Sequence, residues 1–387
     1  MNSIKNLRTK LRENERYVEL LFYVAFSVYY FQMFLITTMF DTEWFVWPYR
    51  LSAAAVMVIV VIRLIEFDIR DWKAWLLIMM ILGCTGIYGL LHRDKTMLIF
   101  GLFLVAAKDI PFRRIVQLAV GIGTTIMVTA FVASQAGIIE DLVYFQRGTY
   151  RHAFGIIYTT DFAAHVLFLL LGFFYLKEGK VKPWICVLLL AGVAVMYHFV
   201  RARNNSICMI LLILGTLAYQ FIKGKYGNAA GYKKWSRILS ICMSMSFLVG
   251  AAVMIYWTVQ YDAGNEFYAK LDQLLSGRLQ MGQQAFTEYG LSIWGQEIPQ
   301  MGFGRTTEWP EFYFCLDSSY VLVLLEKGLV IFLMMCMLSV LAGIKSIVSN
   351  KYTVFLLMII ALQCVAEHHW MELSYNYFLF VLLASGM

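Results

Sequence analysis

The sequence predicts an all-α, polytopic integral membrane protein with about twelve transmembrane helices and a large late extracytoplasmic loop, 260–318, that carries short helices of its own. Three observations lead there. Hydrophobic residues make up 60% of the chain and charged residues only 15%, a balance that no soluble globule can hold in water. Apolar stretches of roughly membrane-spanning length, about a dozen, account for most of the chain. With the N-terminus inside, Lys and Arg fall about two to one on the cytoplasmic side of those stretches.

In chain order, 1–17 is polar and basic and runs into a long apolar segment with no small-residue cleavage signal, so it reads as an uncleaved cytoplasmic lead-in. Spans are expected at 17–40, 51–67, 74–91, 96–108, 115–139, 158–176, 184–200, 205–222, 238–259, 319–344, 353–366 and 374–387. Each must be helical because the bilayer core offers no water to backbone groups. Several are shorter than the roughly 20 residues that cover the hydrocarbon, so some are expected to tilt, break or re-enter. An error of one span before residue 140 would put KGKYGNAAGYKKWSR outside, against the charge rule, so both termini are placed in the cytoplasm. Two outer loops result, at 140–157 and 260–318, and the second is too long to be structureless. No repeat, Pro-rich linker or soluble domain interrupts the chain, and 1–387 reads as a single membrane domain whose outer loops form the active site.

The net charge of +7 would suggest nucleic acid in a soluble protein. Here the excess sits in short loops, where an anionic inner leaflet accounts for it, and nucleic acid is not expected as a partner. The seven cysteines have no paired spacing and read as small lipid-phase or core residues, neither disulfides nor metal ligands.

Against the inner bias, Arg147, Arg151, Arg201, Arg203, Arg278 and Arg305 all fall on the outer face. A guanidinium stays charged and grips phosphate oxygens bidentately, so such a cluster suggests a site for an anion that lipid delivers; contact with lipid headgroups is the plainer alternative. Arg147 and Arg151, four apart, would share a face on a helix, with His152 beside them. Asp161 and His165, also four apart, enter the sixth span, where a cavity-facing role and a structural pairing are both open. In VRARNNS the chain turns within a few residues and pins Arg201 and Arg203 near the headgroup plane. Ser276 can cap a helix whose first turn holds Arg278, a cation that opposes the helix dipole and is more easily explained by a ligand. Gly302 and Gly304 permit a sharp turn before Arg305. Asp317 stands at the mouth of the tenth span, where it could engage a sugar hydroxyl or cap the helix. Glu326 and Lys327 read as a structural pair, and the motif His368-His369 with Glu372 as structural too.

Arg151 to Phe162 (RHAFGIIYTTDF), Arg203-Asn204-Asn205, Ser276-Gly277-Arg278, and Gly302-Phe303-Gly304 followed by Asp317-Ser318-Ser319-Tyr320 occur in the order seen in the O-antigen polymerase and ligase superfamily, and the chain resembles that family over most of its length. Ligases carry a histidine where this chain has Asp317, so the resemblance is to the capsular or exopolysaccharide repeat-unit polymerases. It implies a glycosyltransferase in the bacterial cytoplasmic (inner) membrane that moves a growing undecaprenyl-pyrophosphate-linked glycan onto the next lipid-linked repeat unit at the outer face. A flippase and a chain-length regulator of the same pathway are the implied partners. A ligase-like transferase and a transporter or flippase of lipid-linked oligosaccharide are the alternatives, the latter usually built from two related halves that this sequence does not show.

Breaking a glycosyl-phosphate bond builds negative charge on the departing pyrophosphate. The outer loops offer no metal-ligand spacing, so no cofactor is expected and arginines take the place of a metal ion. Arg203 and Arg278 are assigned to the pyrophosphate, with Arg147, Arg151, His152, Arg201 and Arg305 positioning donor or acceptor. Asp317 is assigned to the acceptor hydroxyl. Tyr289, Trp294, Trp309, Phe312 and Tyr313 are candidates to stack on sugar rings, or belong to an interfacial aromatic belt.

Overall fold

A computed structural model describes residues 15–65, 72–146 and 148–386, Ala230 by its backbone alone. Helices α1 (Glu15–Leu35), α2 (Val46–Ile65), α3 (Trp72–Leu91), α4 (Lys95–Ala106) and α5 (Phe112–Gln135) precede a hairpin of β1 (Val143–Gln146) and β2 (Thr149–His152). Next come α6 (Thr159–Leu176), α7 (Pro183–Val200), α8 (Arg203–Tyr226), α9 (Ala230–Ser244), α10 (Ser246–Val259), α11 (Glu266–Leu275) and α12 (Arg278–Tyr289). The interrupted helix α13 (Ser319–Ser349) and α14 (Lys351–Gln363) complete the set.

Eight of these are long and apolar enough to cross a membrane, nine if α9 and α10, bent by 43°, are one span. The expected twelve are therefore reduced among the described residues. Helix α4 has 12 residues and α14 has 13; at 1.5 Å per residue they cover about 18–20 Å of a hydrocarbon core about 30 Å thick. The expected twelfth span is not an α-helix. Residues Tyr377–Leu382 form a 3₁₀ turn, with Tyr377, Phe378 and Phe380 fully buried in protein. Non-helical backbone at membrane depth must find protein partners. The Lys345 ammonium serves three of its carbonyls, those of Val381 (3.1 Å), Leu382 (3.0 Å) and Ala384 (2.5 Å). Further along, Ser385 bridges in parallel to Pro111, and the Phe112 amide donates to the Ser385 carbonyl at 2.8 Å.

A stripe of aromatic residues decides which helix stands at the centre. Phe22, Phe26, Tyr30 and Phe34 recur every fourth residue on α1 and are buried completely or nearly so, the periodicity of one helix face. Their rings meet the C-terminal segment through Phe26–Phe380 (5.5 Å) and Tyr30–Tyr377 (6.2 Å), and α6 through Phe34–His165 (3.7 Å). Helix α7, by contrast, buries few residues and presents Val187, Leu188 and Val195 outward.

Helix α13 breaks after a π turn, Val323–Lys327, at Gly328, whose φ of 86° suits glycine. A Cβ at Gly328 would lie 2.2 Å from the Gly295 nitrogen, so the loop docks against bare backbone. The groups freed by the break are taken up there: Leu329 and Val330 donate to the Ser292 and Ile293 carbonyls, and Gln296 donates to that of Glu326. Glu326 and Lys327 form an ion pair at 2.9 Å, with Asp94 3.6 Å from the same ammonium.

The hairpin, the turn between α7 and α8, helices α11 and α12, and residues 290–318 gather at one end of the bundle. Thr38 bridges to Ile156 and Met301 to Phe314 across that end.

Candidate functional site

The first outer loop holds this hairpin, so Arg151 stands on a strand and not on a helix face. Alternating Val-Tyr-Phe-Gln and Thr-Tyr-Arg-His favour extended chain, and Gln146 pairs with Thr149 across a two-residue turn whose Gly148 has a φ of 71°. Arg147 lies outside the described residues. Arg151 on β2 donates from Nε to the Val200 carbonyl (3.2 Å) and from Nη1 to Gln146 Oε1, with its guanidinium over the Tyr158 ring at 5.9 Å.

The tight turn between α7 and α8 is made by Arg201 in the left-handed region (φ 56°), which ends α7 so that Arg203 opens α8. Arg203 Nη2 then reaches across to Ser276 Oγ at 2.7 Å and to the Gln273 carbonyl at 3.2 Å. The capping expected of Ser276 does not occur. Ser276 is itself left-handed (φ 65°) and terminates α11, and the residue before α12 is Gly277. The cap comes from Asp272, which accepts from the amides of Leu279 (2.8 Å) and Gln280 (3.1 Å) and places a negative charge at the positive end of α12.

Arg278 begins α12 and is held from three sides. Its Nη2 pairs with Asp317 Oδ2 at 2.7 Å, Nη1 donates to the Ser276 carbonyl at 3.1 Å, and Nε donates to the Ala366 carbonyl at 3.3 Å. Burial opposes the charge on this guanidinium, but Asp317 and Glu367 outweigh it and hold its pKa above the ordinary value. Asp317 is therefore the ion-pair partner of Arg278; Ser318, the residue before α13, makes no side-chain cap.

Arg151, Arg201, Arg203, Arg278 and Asp317 all line one cavity of about 500 Å³, within the size range of small-ligand sites. Four guanidinium groups from three chain segments thus face two carboxylates, Asp317 and Glu367. The Arg201 Nε is buried with no hydrogen-bond partner, and an unsatisfied buried donor is costly. The sequence reading overlooked Glu367, which follows the short helix α14 and is 3% exposed. Its Oε1 accepts from Asn205 Nδ2 at 3.2 Å, and the same amide donates to the Thr160 carbonyl. Burial pushes the Glu367 carboxyl up to about 8, against the pull of Arg278. Tyr158, Gln146, Thr160 and Asn204 also line the wall.

Two expected residues stand elsewhere. Arg305 is exposed and donates to the Ile36 carbonyl at 2.9 Å, and His152 pairs with Asp141 Oδ2 at 2.7 Å and stacks on Phe154. Of the aromatic candidates, Trp309 and Tyr313 line the cavity. Phe312 stacks on Phe314, and Trp294 belongs to the loop docked at the α13 break. Chemically, the arrangement can hold a multiply charged anion beside a buried carboxyl and two aromatic rings. No family model, curated protein or solved structure matches this chain.

Proposed function

We propose that the protein is a polysaccharide polymerase of the outer face of a bacterial cytoplasmic membrane, using the arginine cavity to hold an undecaprenyl-pyrophosphate-linked glycan. The convergence of Arg151, Arg201, Arg203 and Arg278 on one cavity carries this reading. The wall also includes Ile207 and Leu274, apolar side chains that are 53% and 63% exposed, so an isoprenoid chain can enter sideways from lipid.

In this reading Arg203 and Arg278 clamp the pyrophosphate, while Arg151 and Arg201 complete its shell. The acceptor hydroxyl attacks the anomeric carbon of the donor sugar and gives its proton to the ionised form of Glu367, a form that gains population as the pH rises towards about 8. The bond from that carbon to the phosphate oxygen breaks, and undecaprenyl pyrophosphate leaves with its charge held by guanidinium groups already in place. Asp317 keeps Arg278 oriented, and Trp309 and Tyr313 offer faces to the sugar rings.

The test is reconstitution with lipid-linked repeat units presented at the cavity side. Arg203→Ala and Arg278→Ala are expected to insert normally but to leave single units unextended, a loss of at least about 100-fold in chain growth. Normal polymer from both variants would falsify the clamp. Transport activity without chain extension would move the reading to a flippase.

A further inference from the structure

Behind the cavity wall the fold assembles residues that are far apart in the chain. Asp161, in the first turn of α6, lies against His368 and His369, which follow α14. One ligand atom from each falls within 4.8 Å of the others. His369 Nε2 is 3.9 Å from Asp161 Oδ1, and its other ring nitrogen, Nδ1, is 3.1 Å from Glu372 Oε2. The second oxygen of Glu372 lies 3.4 Å from His368 Nε2. His369 is fully buried, and its Nε2 has no hydrogen-bond partner. The ring cannot turn away, being stacked on Tyr375 at 3.8 Å, and Tyr375 is stacked in turn on His165 at 4.0 Å.

We infer that Asp161, His368 and His369 bind one divalent transition-metal cation of the zinc class, with Glu372 orienting His369. Two imidazoles and a carboxylate are donors that zinc accepts, and a carboxylate on the second ring nitrogen fixes the tautomer that leaves Nε2 free to ligate. The ligand atoms are more widely spaced than bonds of about 2.1 Å would allow, so closing on the ion draws the three side chains together. The unpartnered Nε2 is the reason to choose a metal over a plain ion pair: a buried His369 bonded only to Glu372 leaves that atom unsatisfied.

The ion would tie the start of α6 to the segment after α14. The chain neighbours of its ligands, Thr160 and Glu367, form part of the arginine cavity wall. Its role is therefore to hold that wall, and it does not depend on what the cavity binds.

The test uses the full-length protein in detergent, carrying an affinity tag without histidine and stripped with dipicolinate. Co²⁺ is titrated in and its visible d–d absorption recorded, with zinc competition as a second measurement. About one equivalent of Co²⁺ is expected, displaced by zinc. Asp161→Asn and His369→Gln should each weaken binding by 100-fold or more, on the order of the loss of one ligand, and Glu372→Gln by about 10-fold. Arg278→Ala should bind Co²⁺ as the unaltered protein does, which separates this site from the function proposed above. No Co²⁺ absorption with the unaltered protein, or a band unchanged in His369→Gln, overturns the inference. The first of these outcomes requires no variant to fold.

Discussion

At one end of α7 lies the arginine cavity, about 500 Å³, and at the other a cleft of about 550 Å³ lined by Glu178, Lys180, Lys182 and Lys223. Both are basic and similar in size. Lys180 keeps 75% of its side chain in solvent and pairs with Glu178, itself 51% exposed, and Lys223 is exposed as well. Arg278 has 14% of its side chain exposed and is anchored by Asp317 and two carbonyls. Exposed ammonium groups near a membrane attract anionic headgroups diffusely and are screened by salt. Guanidinium groups fixed by backbone acceptors and partly desolvated present a defined set of donors to one ligand. What separates the basic residues at the two ends is anchoring more than charge.

Keeping the charge while removing the geometry should have the largest effect. Arg203→Lys and Arg278→Lys retain a cation but lose the planar fork, and chain extension in reconstituted vesicles should fall about 100-fold or more. Lys180→Ala and Lys223→Ala, which remove charge at the other cleft, should stay within about twofold. Equal losses at both ends would mean that bulk positive charge, and not fixed donors, is what matters.

A smaller effect sharpens the division of labour between the two carboxylates in the cavity. Glu367→Gln keeps the Asn205 contact within reach but cannot take a proton. It should lower kcat by about 100-fold with little change in KM, as expected for loss of a general base. A rise in KM at unchanged kcat would assign Glu367 to substrate binding and return the proton transfer to another group.

How far the sequence could go is instructive at these same residues. Arg151, Arg201, Arg203 and Arg278 were legible as a set because the charge rule grouped them on one expected side of the membrane, and the four do line one cavity. Glu367 was not legible. It stands beside His368 and His369, in a polar run just past the span expected at 353–366, and what makes it special is burial against α8 through Asn205, a contact 162 residues distant in the chain. Asp161 and the His368-His369 pair were both noticed, but not that they meet, for the same reason. The last expected span shows a related limit: hydropathy marks 374–387 as apolar, but cannot say that Lys345 will satisfy its backbone and free it from being helical. The hairpin was missed because a four-residue spacing of arginines fits a helix, whereas the β-forming residues between them and Gly148 decide otherwise.

The smallest expected effect concerns how the loop helices aim the clamp. Ser276 accepts from Arg203 while terminating α11 in a left-handed conformation, so one residue both turns the chain and orients a guanidinium. Ser276→Ala removes the hydroxyl, and its Cβ faces the same left-handed strain as serine. Arg203 keeps the Gln273 carbonyl and loses one acceptor, an effect of about 1.5–3 kcal/mol where water is excluded and less in a cavity open to solvent. Chain extension should fall about 3- to 10-fold, with no change in detergent thermal stability beyond about 2 °C. Ser276→Gly removes the same hydroxyl but relaxes the left-handed residue, and it should match the alanine variant in rate while being no less stable. If glycine restores activity where alanine does not, backbone strain at 276 sets the clamp and the hydroxyl is incidental; if both fall together, the hydroxyl aims Arg203.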